Sequence, residues 1–119
     1  MWTYNQRTGL LMQDDAHVAY GYSGHGIGKN NPSMEAVHNI GPIPRGMWII
    51  GAPTDTTTHG PYVLSLSPAE GTNTYGRDGF KIHGDSRTRP GEASLGCIIL
   101  SLIVREDIWN SGDHSLRVV

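Results

Sequence analysis

Hydrophobic positions along this chain fall mostly in short runs and two-residue alternations, the mark of half-buried strands, and only one segment carries helical spacing. Trp2 to Gln6 and Leu10 to Gln13 flank Arg7-Thr8-Gly9, a Gly-ended connection that predicts a hairpin. A third strand is expected at His17 to Tyr22. Strand character returns at Met47 to Ile50, at Tyr62 to Ser67, where Tyr62, Leu64 and Leu66 alternate with Val63 and Ser65, and at Phe80 to His83. Between them, Gly21 to Pro32 reads as a polar, Gly-rich loop, and Ser33 to His38 as a single helical turn stopped by Gly41-Pro42-Ile43-Pro44. The best helix follows a capping Ser101: Leu102, Val104 or Arg105, Ile108 and Trp109 recur at helical spacing, and Asn110-Ser111-Gly112 ends it. Ser115 to Val119 forms a last strand. The pattern predicts a mainly β fold of about six or seven strands with one or two short helices. Without internal repeats or an obvious linker, residues 1–119 are read as a single domain.

Composition narrows the function classes. Charged residues make up only 17% of the chain, while 16 Gly and 7 Pro give loops a large share, as in a loop-rich β protein. A formal charge of -2 offers no general attraction to nucleic acid or to an anionic membrane. The longest apolar run, Ile98 to Val104, is broken by Ser101 and falls far short of the roughly 20 residues of a bilayer span, so no membrane insertion is expected. The first residues lack the basic start, apolar segment and small-residue cleavage site of a secretory leader, so no classical signal peptide is expected. A lone cysteine, Cys97, rules out an internal disulfide.

No metal or cofactor is expected either. His17, His25, His38, His59 and His114 show neither HExxH nor Cys-His ligand spacing. The Gly-rich loop invites a phosphate-loop reading, but Ser23 stands where the first glycine belongs and Asn30 follows Lys29. That loop is either a flexible rim beside a site or plain surface. Trp2, Trp48 and Trp109 read as packing residues rather than sugar platforms.

The chemistry concentrates in Ile82 to Ile98, IHGDSRTRPGEASLGCI. A cysteine becomes a nucleophile when an imidazole accepts or pairs with its proton. His83, at the end of a predicted strand, is held rigidly enough to do so, and the loop from Gly84 to Ala93 can fold back to bring Cys97 beside it. Gly96 has no side chain, which lets the N–H groups of Gly96 and Cys97 converge on a carbonyl oxygen as an oxyanion hole. The competing reading is a core cysteine, since Ile98, Ile99 and Leu100 follow it. The two differ in reactivity: a core cysteine is inert to mild alkylation, whereas a thiolate paired with imidazole reacts below pH 7.

His83-Gly84 followed by Ser94-Leu95-Gly96-Cys97-Ile98 resembles the active-site signature of the L,D-transpeptidases, the YkuD-like cysteine enzymes of peptidoglycan. Gly41-Pro42-Ile43-Pro44-Arg45-Gly46-Met47-Trp48-Ile49-Ile50 resembles the segment preceding the active-site strand in that family. The likeness is closer to small type VI secretion effectors with L,D-transpeptidase domains, which share similar Gly-Tyr-Ser-Gly, Lys-Asn-Asn-Pro and Gly-Pro-Ile-Pro stretches. It spans about Tyr20 to Ile98. The resemblance implies a compact L,D-transpeptidase-like β-sandwich and an enzyme, without cofactor, acting on peptidoglycan stem tetrapeptides at the diaminopimelate to D-alanine bond. Cys97 is then the nucleophile, His83 the general base, the Gly84 carbonyl its orienting partner, and the N–H groups of Gly96 and Cys97 the oxyanion donors. Ser94 either fixes the loop or touches substrate. Many members carry a histidine where this chain has Leu95 and an arginine where it has Ile99. Arg87 or Arg89 is the alternative partner for a substrate carboxylate, or else a solvated loop residue; Asp85 either assists His83 or completes a turn.

The resemblance further implies an antibacterial toxin carried by type VI secretion machinery into the periplasm of a target bacterium, with an immunity protein over its cleft. A papain-like peptidase is poorly supported, because only His114 follows Cys97. The remaining alternative is a non-enzymatic β-rich binding or secretion-associated module with a buried cysteine.

Overall fold

The computed structural model describes every residue from Met1 to Val119. Nine strands form: β1 (Trp2–Tyr4), β2 (Leu10–Gln13), β3 (Ala16–Tyr20), β4 (Tyr22–Ser23), β5 (Gly46–Thr56), β6 (Gly60–Pro68), β7 (Lys81–His83), β8 (Ile98–Ile99) and β9 (Ser115–Val118). One α-helix, α1 (Leu102–Asn110), lies between β8 and β9. The mainly β expectation holds, with more strands than the six or seven anticipated, because β4 and β8 are two-residue strands too short for a visible alternation. The single turn expected at Ser33 to His38 is instead a 3₁₀ turn over Pro32–Met34, capped by Asn31, whose side chain accepts from the Ser33 N–H.

All nine strands join one hydrogen-bonded sheet in the order β3-β2-β1-β9-β5-β6-β7-β8-β4, rather than two separate sheets. The two edges, β3 and β4, are consecutive in the chain with only Gly21 between them. The sheet therefore curls until its edges meet and encloses a core as a sandwich would. Glycine is required at this seam: the Gly21 N–H donates to the Gly9 carbonyl at 2.8 Å. A Cβ on Gly21 would fall 2.1 Å from the Ile99 carbonyl oxygen, and one on Gly9 2.0 Å from the Gly21 oxygen.

Inside, a cluster of 15 buried residues unites strands from both halves of the curl, including Trp2, Leu11, Trp48, Leu64, Ile82, Ile98 and Leu116. Ile108 of α1 joins them. Ser101 caps that helix as expected, accepting from the Val104 N–H at 3.4 Å. The buried face is the expected one except at its first position: Arg105 and Ile108 are buried and Val104 and Trp109 pack against the core, while Leu102 is exposed. Arg105 can be buried because its guanidinium donates to the carbonyls of Leu100 (3.1 Å), Pro61 (2.7 Å) and Tyr62 (3.0 Å), substituting for water. No helix is long and apolar enough to cross a membrane.

β5 and β6 form a hairpin far longer than the Met47 to Ile50 and Tyr62 to Ser67 segments suggested. Register shifts around Pro53 let the strand continue past a residue that cannot donate to the ladder. The extension carries His59, at the hairpin tip, toward the end of β7.

Candidate active site

β7 and β8 run parallel, with Ile82 opposite Ile98 and His83 opposite Ile99. Ile82 and Ile98 are fully buried in the core. Successive side chains alternate across a strand, so His83 turns to the other face. Cys97, one residue before Ile98, lies with it: both line a cavity of ≈ 270 Å³ that Arg77, Phe80, His59 and Gly96 also border.

His83 is 3% exposed, and its Nδ1 lies 2.8 Å from the Gly84 carbonyl oxygen. A carbonyl only accepts, so Nδ1 carries the proton, and in the neutral ring Nε2 holds a lone pair. Nε2 is buried and has no partner. Burial holds the imidazole below its usual pKa, opposed by the Gly84 carbonyl, with positive charge at His59, Arg105 and Lys81 also disfavouring protonation. At neutral pH His83 is an uncharged base with its reactive nitrogen free.

Cys97 is half-buried and its thiol faces the Gly79 carbonyl at 3.8 Å, a weak S–H contact. Burial pushes the thiol up, while the Lys81 backbone N–H and the positive charges of Lys81 and Arg77 pull it back. The resting pair is therefore a neutral thiol and a neutral imidazole. This differs from the thiolate–imidazolium pair that sequence reasoning anticipated, because desolvation disfavours both charged partners at once.

The turn before Cys97 is held from below. Ser94 is fully buried, and its hydroxyl accepts from the Gly24 N–H (2.9 Å) and the Gly96 N–H (3.1 Å) and donates to the Cys97 carbonyl (2.6 Å). Of its two anticipated roles Ser94 takes the loop-fixing one, since it has neither an exposed face nor a free lone pair for substrate. The Gly96 N–H is thereby occupied, leaving Cys97 as the member of the expected oxyanion pair whose N–H has no partner. Ser23 donates to the Gly96 carbonyl at 3.0 Å, so the Gly-rich loop braces the turn.

Asp85 does not reach His83. Its carboxylate accepts from the Tyr22 hydroxyl (2.5 Å) and from the N–H groups of Ser86 (2.8 Å) and Gly91 (3.1 Å), which completes the turn. Those contacts hold its carboxyl below the usual range against the opposing effect of burial. Arg87 and Arg89 are exposed and border a neighbouring groove of ≈ 730 Å³, which His83 also lines but Cys97 does not.

Two residues at the cavity escaped sequence reasoning. His59 stacks on His83 with ring centroids 4.5 Å apart and planes tilted by 47°. Nothing in its sequence neighbourhood, Thr56-Thr57-Thr58-His59-Gly60, links it to His83. Arg77, 6% exposed, donates to the carbonyls of Glu35 (2.5 Å), Pro42 (2.7 Å), Gly41 (2.9 Å) and Leu95 (3.3 Å). Its signal was faint: a charged residue inside Gly76-Arg77-Asp78-Gly79, immediately before the active-site strand.

A half-buried thiol, a neutral imidazole with a free nitrogen and an unpartnered N–H border one cavity, an arrangement chemically able to support acyl transfer. No curated protein matches the chain. The family model described as the Tlde1 domain matches residues 17–119, a span that holds His83, Cys97, all of β3 but Ala16 and every strand after it. That match supports the narrower of the two resemblances and not the YkuD-like family as such. The chain belongs to the Tlde1 domain family, the L,D-transpeptidase effectors of type VI secretion.

Proposed function

We propose that Cys97 attacks the carbonyl between diaminopimelate and D-alanine in a peptidoglycan stem tetrapeptide. The observation that carries this reading is the unpartnered Nε2 of His83 in the cavity that Cys97 shares, with Nδ1 committed to the Gly84 carbonyl. As sulfur bonds to the carbonyl carbon, the thiol proton passes to Nε2 and the oxygen becomes negative beside the free Cys97 N–H. Collapse breaks the C–N bond, the imidazolium returns its proton to the departing amine, and D-alanine leaves behind a thioester. Water resolves the thioester in a carboxypeptidase, a D-amino acid in an exchange reaction, and a second stem peptide in a cross-linking one.

Because the resting pair is neutral, His83 removes the proton as the bond forms instead of storing a thiolate. The exposed Arg87 and Arg89, beside the groove that reaches His83 from the far side, suit a carboxylate on the incoming acceptor. Family membership supports delivery by type VI secretion machinery into the periplasm of a target bacterium. An immunity protein covering the cleft would protect the producer.

The test is mass spectrometry of a purified disaccharide-tetrapeptide incubated with the protein or with Cys97→Ala, with and without a D-amino acid. Loss or exchange of D-alanine by the wild type alone establishes the cysteine route and its preferred acceptor. Turnover that survives in a folded Cys97→Ala protein refutes it.

A further inference from the structure

Arg77 is a buried cation without a carboxylate partner. The ion pairs of the structure join the N-terminus to Asp14 and Asp113, and Arg45 to Glu35. Glu35 hydrogen-bonds Arg77 through its backbone carbonyl, while its carboxylate is paired with Arg45 and reaches Arg77 only through space. Asp78 borders the same cavity but lies beyond ion-pair distance. Removing a charge from water costs several kcal/mol unless other groups compensate, and here carbonyl dipoles solvate the guanidinium without neutralising it. Its positive field is left facing the cavity where Cys97 sits.

The guanidinium also lies directly against the backbone that carries the nucleophile. A Cβ on Gly96, whose φ is +139°, would come within 2.5 Å of Arg77 Nη2. Of the two N–H groups expected to hold an oxyanion, the Gly96 one is already given to Ser94.

We infer that Arg77 is a positioning residue: its guanidinium supplies the fixed positive field for the negative charge that develops at Cys97 as its proton leaves and the bond forms, on the sulfur and on the tetrahedral oxygen. The inference rests on the cysteine mechanism proposed above. Arg77 neither gives nor takes a proton; the thiol proton still passes to His83 and on to the leaving amine. The other ionisable groups around the thiol are Lys81 and His83 of β7, His59 of the hairpin tip, and His38 and Asp78 of the preceding loops. Lys81 is the rival source of the field: its charge stands ahead of that of Arg77 in pulling the thiol down, so the two must be separated by substitution.

The test follows alkylation of Cys97 by iodoacetamide against pH in the full chain, its Arg77→Gln, Arg77→Lys and Lys81→Gln variants, with no peptidoglycan present. Arg77→Gln should raise the midpoint by about one pH unit, a tenfold loss of thiolate at fixed pH below it, and Arg77→Lys should recover most of that. An unchanged midpoint in folded Arg77→Gln, or a shift seen only in Lys81→Gln, overturns the inference.

Should Arg77→Gln fail to fold, the wild type and Lys81→Gln decide together. The rate ratio of anionic iodoacetate to neutral iodoacetamide is independent of thiolate fraction, and a fixed cation should raise it several-fold over that of a short cysteine peptide. A ratio equal to or below the peptide's, or a raised ratio that is lost in Lys81→Gln, overturns the assignment. Neither readout needs substrate, so failure of the tetrapeptide assay would refute the proposed function and leave this inference to be judged on the thiol.

Discussion

Ser94→Ala separates a loop-fixing serine from a substrate-binding one. The hydroxyl has one donor and two acceptor positions, and all three are used, toward the Cys97 carbonyl and the Gly24 and Gly96 N–H groups. Alanine fits the space but leaves two N–H groups and one carbonyl without partners. Each orphaned buried group costs about 1–3 kcal/mol. Gly96 borders the cavity and can recover water there, and the Cys97 carbonyl keeps a second lone pair, so the sum lies at the low end, about 2–4 kcal/mol. At about 4 °C per kcal/mol for a chain of this size, the melting temperature should fall by about 8–16 °C. Urea denaturation measures the free energy, calorimetry the temperature, and steady-state kinetics on the tetrapeptide the consequence for turnover. The turn carries the nucleophile, so kcat should fall with the loss of rigidity. A stability change below about 0.5 kcal/mol, the range of an ordinary surface substitution, together with a raised KM, would refute this reasoning and make Ser94 a substrate contact.

Three further outcomes follow from the same geometry. Tyr22→Phe removes a hydroxyl that joins Asp85 to the Ala93 N–H at 3.0 Å and whose pKa is pushed up to about 12, first by burial and then by Asp85; faster amide exchange across residues 85–93 should result, and unchanged protection would count against the clamp. Burial lowers the pKa of both His83 and His59 from the ordinary 6.5, so on acidification the unfolded chain takes up protons the folded one refuses. Stability is therefore full above pH 6.5 and declines below it toward the folded pKa values, and activity shows an acid limb below pH 6.5; urea midpoints and rates between pH 5 and 8 check both. His59→Phe keeps a ring against His83 but removes a positive charge that disfavours its protonation, so the acid limb should move to higher pH; ring-carbon NMR titration of His83 measures it, and an unmoved titration removes His59 from the site's electrostatics.

Period two shows most clearly where a strand has a buried face and a polar one. Tyr62 to Ser67 and the final strand from Ser115 read correctly because Leu64, Leu66, Leu116 and Val118 point inward at alternate positions. β4 and β8 escaped because two residues cannot display a period. The outer half of β5, Gly51 to Thr56, escaped for a different reason: it is largely exposed and holds a proline, so neither burial nor propensity marks it, and only pairing with β6 makes it a strand. Closure of the sheet was equally invisible, since it depends on Gly21 meeting Gly9 and Ile99 across long separations.

The site divides along the same line. The meeting of His83 and Cys97 at one cavity, with Gly84 holding the imidazole, was legible because it is carried by residue type at close spacing. Arg77 and Arg105 were not, because their partners are backbone carbonyls, which every residue possesses and no sequence pattern advertises. One motif did hold the information in another form. Gly41-Pro42-Ile43-Pro44 entered as a likeness to a family segment, and in the structure it is a cradle. Gly41 and Pro42 present their carbonyls to Arg77, and the Ile43 N–H is taken by the Ser23 hydroxyl at 2.8 Å. A proline has no N–H to compete for an acceptor, so a segment with two prolines can turn bare carbonyls toward a buried cation. Ser23 then donates to the Gly96 carbonyl, so the cradle and the nucleophile turn hang on one serine. The two stretches that carried the resemblance are thus neighbours in space, and Arg77, which lies between them in the chain, joins Gly41 and Pro42 to Leu95.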